Sequence, residues 1–142
     1  MNPKTMLRIA AFFLLVFATG HTIGHLTRHD VADPTAVEVQ RMMMDHKFDM
    51  FGTLRSYDEN YEGMSLNLIL TLLVFVVVLW ILSGQTSSCP ALVRKILIPV
   101  FVCILGFALT SIFYFFPGPA TICFIAAACI GVAMKKLAQQ EL

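Results

Sequence analysis

The stretch Met64-Ser65-Leu66-Asn67-Leu68-Ile69-Leu70-Thr71-Leu72-Leu73-Val74-Phe75-Val76-Val77-Val78-Leu79-Trp80-Ile81-Leu82 contains no charged residue. Its length is close to the ~20 apolar residues that a helix needs to cross a bilayer. Ser56-Tyr57-Asp58-Glu59 precedes it and reads as a capping box, with Ser at the N-cap and Glu three positions on. Trp80 sits near the far end, where an interfacial anchor is expected. Asn60, Gly63, Asn67 and Thr71 fall on one helical face. Bare amides are costly in hydrocarbon, so that face is expected to turn toward neighbouring helices. The loop from Ser83 to Pro90 ends the segment. The span is placed at about 61–83.

Three further runs share this character. Met6 to Leu26 follows Lys4, and Ile9 to Ala18 carries no charge. A cleaved signal peptide ending at Ala18-Thr19-Gly20 is the competing reading, but apolar character continues to Leu26, which favours a span at about 6–26. The third span covers about 91–116, with Pro99 expected to loosen it locally. Phe113 to Phe116 form an aromatic belt at its exit. Pro117-Gly118-Pro119 reads as a tight turn, after which a fourth span covers about 120–135 with Ala120, Ala127 and Gly131 as a small-residue packing face.

The composition agrees. The chain of 142 residues is 58% hydrophobic and 13% charged, against roughly 25% charged in an average soluble domain. A soluble fold of this size has too little interior to hide that apolar surface. No basic patch interleaved with aromatics appears, so nucleic acid is dropped as a partner. Cys89, Cys103, Cys123 and Cys129 make no CxxC and read as small packing residues.

Between the first two spans, Arg28 to Arg55 is polar. Asp33-Pro34 is a helix start, and an amphipathic helix is expected over about 34–51, ended by Gly52. The fold class expected is therefore an all-α membrane protein. It is a single integral domain over 1–142, an antiparallel bundle of four transmembrane helices with an amphipathic helix between spans one and two.

With four spans, both termini and the middle loop share a side. That side carries Lys4, Arg8, Arg94, Lys95, Lys135 and Lys136, with Glu141 its one acid. The other carries Arg28, Arg41, Lys47 and Arg55 among eight acids. Positive residues mark the inner side, so both termini are expected in the cytoplasm of a bacterial cell whose inner membrane holds the chain. Membrane lipid is then the first partner expected, with a homo-oligomer or a partner membrane subunit as the second.

Chemistry is concentrated in Gly20-His21-Thr22-Ile23-Gly24-His25-Leu26-Thr27-Arg28-His29-Asp30, which holds three of the four histidines. On a helix, His21, His25 and His29 would follow one face at i, i+4 and i+8. Gly20 and Gly24 have GxxxG spacing, which lets another helix come close. Imidazoles four apart can share a metal ion, with His29 or a carboxylate completing the set. A divalent metal held by His21, His25 and His29 is one reading. A b-type haem is another, with Met64 the obvious second axial donor. A third is proton transfer on a lipophilic substrate by His21 or His25 with Glu59 or Glu62. Against all three stands hydrogen bonding that simply finishes the helix end. Asn60, Asn67, Thr71 and Arg55 are the expected pocket lining, with Arg55 able to grip an anionic group or merely pair with nearby acids.

Four segments carry a resemblance: Gly20-His21-Thr22-Ile23-Gly24-His25, Phe51-Gly52-Thr53-Leu54-Arg55-Ser56, Tyr61-Glu62-Gly63 and Leu79-Trp80-Ile81-Leu82. The chain resembles a group of small bacterial four-helix membrane proteins without an assigned function, over roughly its first 85 residues. That resemblance implies the architecture and no mechanism. The expected function is that of a membrane binding or accessory protein with a His-lined pocket at the outer face. The alternatives are a membrane enzyme using His/Glu proton transfer, and a structural subunit packing through small-residue faces.

Overall fold

The computed structural model describes residues 2–140; Met1, Glu141 and Leu142 lie outside it. Helix covers 81% of the described residues, so little is left for other structure. In order, the elements are α1 (Pro3–Leu26), α2 (Pro34–Asp45), β1 (Lys47–Met50), β2 (Thr53–Ser56), α3 (Tyr57–Gln85), α4 (Pro90–Tyr114) and α5 (Pro117–Ala138). Helices α1, α3, α4 and α5 are each long and apolar enough to cross a membrane, as the four apolar runs require. Packing divides the chain into two compact units. Met1–Phe17 with Leu72–Leu142 forms one and Ala18–Thr71 the other, so α1 and α3 contribute residues to both.

In the first unit each helix buries a single stripe. Leu7, Ala10, Ala11, Leu14 and Phe17 are the buried line of α1, spaced three and four apart as one helical face demands. On α4 the line is Val93, Leu97, Val100, Ile104, Ala108 and Ser111. On α5 it includes Ala120, Cys123, Ala127, Ile130 and Ala133. Helices α4 and α5 pack directly on each other. The alanines keep that contact close, and the Phe101 ring of α4 lies over Gly131, at van der Waals distance (3.6 Å) from where a Cβ would stand. The small face expected at Ala120, Ala127 and Gly131 is thus used. Outward, Leu70, Val74, Val77 and Ile81 of α3 and Val102, Leu109 and Ile112 of α4 are exposed. Arg8 spreads its guanidinium over the Trp80 ring, 4.7 Å from the centroid, and its Nε donates to Ser83 Oγ at 3.4 Å.

The two helical connections differ from the sequence reading. Pro117-Gly118-Pro119 is the first turn of α5, and the turn itself is only Phe115-Phe116. A first helical turn needs no N–H from proline, whose fixed φ already suits it. The helix expected over 34–51 ends at Asp45. Asp33 caps its start, accepting from the Ala36 N–H at 2.8 Å. His46 leaves the helix in an extended conformation while its N–H still reaches the Met42 carbonyl.

Beyond it lies an antiparallel hairpin with Lys47 opposite Ser56, Phe48 opposite Arg55, Asp49 opposite Leu54 and Met50 opposite Thr53. Phe51 and Gly52 make the turn, with φ of 52° and 85°. Two positive φ values in a two-residue loop are the twist-matched hairpin turn, so Gly52 serves the hairpin rather than a helix end. The Gly52 N–H donates to Asp49 Oδ1 at 2.7 Å. The Phe48 ring lies 4.6 Å from that of Tyr57.

Two stability predictions follow from this packing. Ile104→Ala should cost about 2–4 kcal/mol by leaving a cavity, whereas Ile112→Ala on the exposed face should cost far less; detergent melts of both check it. Phe51→Asn should raise stability by about 1 kcal/mol, since asparagine tolerates the left-handed region and phenylalanine does not. An unchanged or lowered melting temperature would contradict the strain.

Candidate functional site

The site belongs to the unit Ala18–Thr71. The buried stripe of α1 repeats at intervals of seven: Leu7 and Leu14 lead to His21, and Ala11 and Ala18 lead to His25. The histidines therefore continue the inward face of their own helix. On α3 a matching line runs Ser65, Leu72 and Leu79, all buried, and Thr86 just past the helix end continues it. Ser65 is thus the polar residue on the inward face of α3.

Its hydroxyl lies 3.0 Å from His25 Nδ1 and 3.0 Å from His21 Nε2. His25 and Ser65 are 8% and 5% exposed, so neither can lean on water instead. A hydroxyl has one proton and lone pairs to accept with. Ser65 therefore donates to one imidazole and accepts from the other, and a continuous hydrogen-bond path joins the two rings. Buried polar groups of this kind are costly unless fully paired.

The third histidine does not join them. Helix α1 stops at Leu26, one turn short of what the i, i+4, i+8 ladder needs. His29 lies past the helix end and turns its Nε2 to Asp58 Oδ1 at 2.9 Å. Asp58 also meets Arg28 Nη2 at 3.4 Å, which reaches Glu62 at 3.5 Å. Arg28 Nη1 donates to the His25 carbonyl at 3.2 Å, and Gln40 donates to the Arg28 carbonyl. Cations favour a helix C-terminus and carboxylates an N-terminus; here Arg28 follows the end of α1 while Asp58 and Glu62 open α3. Arg28 Nε is buried without a hydrogen-bond partner among the described residues.

The expected ligand sets do not fit this geometry. Among the described residues no group of three or more His, Cys, Asp or Glu side chains is gathered to hold a metal ion. His21 and His25 turn toward one serine, and His29 is committed elsewhere. For haem, two axial donors must approach opposite faces of the ring, yet both imidazoles come from one helix and share one hydroxyl. Met64 is exposed.

The expected lining residues are likewise dispersed. Asn67 is exposed, and its carbonyl accepts from the Thr71 hydroxyl within the same helix. Asn60 donates to the Met50 sulfur at 3.1 Å. Arg55 is exposed and lies 3.9 Å from Glu59. The amide face of α3 is the outward one. Glu59 completes the capping box, accepting from the Ser56 N–H at 2.8 Å while its own N–H donates to Ser56 Oγ at 3.1 Å. Gly20 and Gly24 face open space. An open groove of about 750 Å³ runs elsewhere, lined by Glu38, Val39, Arg41, Met42, Met43, Asp45, His46 and Tyr57.

Ser65 was the residue that sequence reading missed. Its signal was present in the seven-residue repeat to Leu72, Leu79 and Thr86, but the amides at Asn60 and Asn67 offered a more conspicuous polar face.

No known protein family, curated protein or solved structure matches this chain.

Ser65→Ala should destabilise the protein by about 1–3 kcal/mol, because it strands a buried imidazole nitrogen. Nitrogen-15 spectra of the labelled histidines should show the tautomers of His21 and His25 changing together. Unchanged stability with unchanged tautomers would mean that the serine does not bridge the rings.

Proposed function

We propose that the chain is a small multi-pass protein of the bacterial cytoplasmic membrane, four spans in an antiparallel bundle with both termini in the cytoplasm. In this reading it is a binding or accessory protein, related to the small four-helix group it resembles. Its ligand site is the His21–Ser65–His25 cluster near the outer ends of α1 and α3. Antiparallel packing of α1 and α3 is supported by two contacts: Arg8 with Ser83 in one unit, and His21 and His25 with Ser65 in the other. The residue numbers run in opposite directions along the two helices. The charge bias supports the orientation.

The observation that carries the functional reading is the Ser65 hydroxyl shared by two imidazoles. Ionisable groups on membrane helices are rare and mark function by default. Two imidazoles and a hydroxyl offer both donors and acceptors, suited to an amphiphile whose polar head carries a hydroxyl or carbonyl. The unbroken hydrogen-bond path favours a second reading, an enzyme that moves a proton within such a ligand. Glu59 has no part in it, since its carboxylate belongs to the cap.

Native mass spectrometry of protein released in mild detergent tests the binding reading. Wild type should retain a small amphiphile, and Ser65→Ala, checked by circular dichroism for retained helix, should hold at least tenfold less. Wild type without ligand, or equal retention by both, would refute it. Orientation is tested at Cys89, which is exposed between α3 and α4. A membrane-impermeant maleimide should label it in inverted vesicles and leave it unmodified in intact spheroplasts; the reverse pattern would invert the topology.

A further inference from the structure

Helix α2 buries none of its residues, yet it carries Met42, Met43 and Met44 in succession. Three methionines on a helix that contributes nothing to a core are not explained by packing. Met42 and His46 are separated by four residues and Met43 and His46 by three, spacings that share a helical face. All three line the same open groove, together with Val39 and Tyr57.

Of the four histidines, His21 and His25 are held by Ser65 and His29 by Asp58. The His46 ring makes no hydrogen bond or ion pair among the described residues, and it is exposed. Of the two carboxylates that line the groove, Asp45 is engaged, its Oδ2 meeting Arg41 Nε at 3.3 Å. The Met50 sulfur is engaged too, by Asn60. Facing the groove beside the carboxylates of Glu38 and Asp45 are two thioethers and one imidazole. Thioethers are soft ligands that select monovalent copper over zinc or magnesium, and imidazole accepts copper readily.

We propose that Met42, Met43 and His46 form a binding site for a soft monovalent metal ion, Cu(I). The site shares no residue with the His21–Ser65–His25 cluster and stands or falls independently of it. It uses the C-terminal end of α2 as its frame: the helix sets the two sulfurs, and the extended turn at His46 frees the imidazole to close on them. The ion is bound without change of oxidation state.

The test uses the full chain in detergent with its free thiols, exposed Cys89 first, alkylated beforehand, with methyl-13C methionine labelling and Ag(I) as the redox-inert probe. One equivalent of Ag(I) should shift the Met42 and Met43 methyl signals and leave Met64 unmoved. Zn(II) should shift neither. His46→Asn, and separately Met42→Leu with Met43→Leu, should weaken Cu(I) binding at least tenfold in competition with bicinchoninate under ascorbate. These residues are not buried, so the variants should fold. Uptake of Ag(I) with motionless Met42 and Met43 methyls would place the ion elsewhere on the chain and overturn the proposal. So would methyl shifts produced by a fatty-acid amphiphile but not by Ag(I), which would make the groove an apolar-chain site. Equal Cu(I) affinity in His46→Asn would overturn it as well.

Discussion

A peptide group without water must find its partner inside its own helix, and the long apolar elements of this chain answer that requirement. Once a helix is satisfied along its length, only its side chains decide what it faces. Here each long apolar helix buries one stripe and leaves apolar residues such as Val74, Ile81 and Val102 outward. Polar groups on the inward stripe must then find one another. Ser65, His21 and His25 do so with three groups and two hydrogen bonds, and the Arg28–Asp58–Glu62 set does so where the helices end.

Features governed by composition and local sequence were legible. The four apolar helices, the Asp33 cap with Pro34, and the Ser56–Glu59 capping box all follow from rules that act within a few residues. Features decided by competition between neighbours were harder. Gly52 stops a helix in one context and turns a hairpin in another; the alternation of Phe48 and Met50 around Phe51-Gly52 was the deciding signal, and helical spacing of Met44, Phe48 and Phe51 masked it. The ladder His21, His25, His29 assumed a helix continuing past Leu26. The inward face of α3 was assigned from the most polar residues, Asn60 and Asn67, whereas packing chose the smaller Ser65.

The two chemistries read from the structure use histidine in opposite ways. At Ser65 one nitrogen of each imidazole is held by a hard hydroxyl. At the end of α2 the imidazole of His46 lines a groove with Met42 and Met43 and makes no hydrogen bond among the described residues. Residue type alone does not separate these uses; the partner of each ring does. The hairpin stands between them in sequence, tied to the start of α3 through Lys47 and Arg55, each 3.9 Å from Glu59.

The single proton of Ser65 has a consequence for how the cluster would communicate. Either the hydroxyl points at His25 and accepts from His21, or the reverse, and both arrangements make the same number of bonds. A group that donates to or accepts from the outer nitrogen of one ring settles the direction of the hydroxyl, and with it the tautomer of the other ring. What is bound beside one histidine is thereby registered at the second without any movement of backbone. Linkage makes that influence reciprocal: two chemically identical side chains become the sending and receiving ends of one contact, with their roles exchanged whenever the hydroxyl turns.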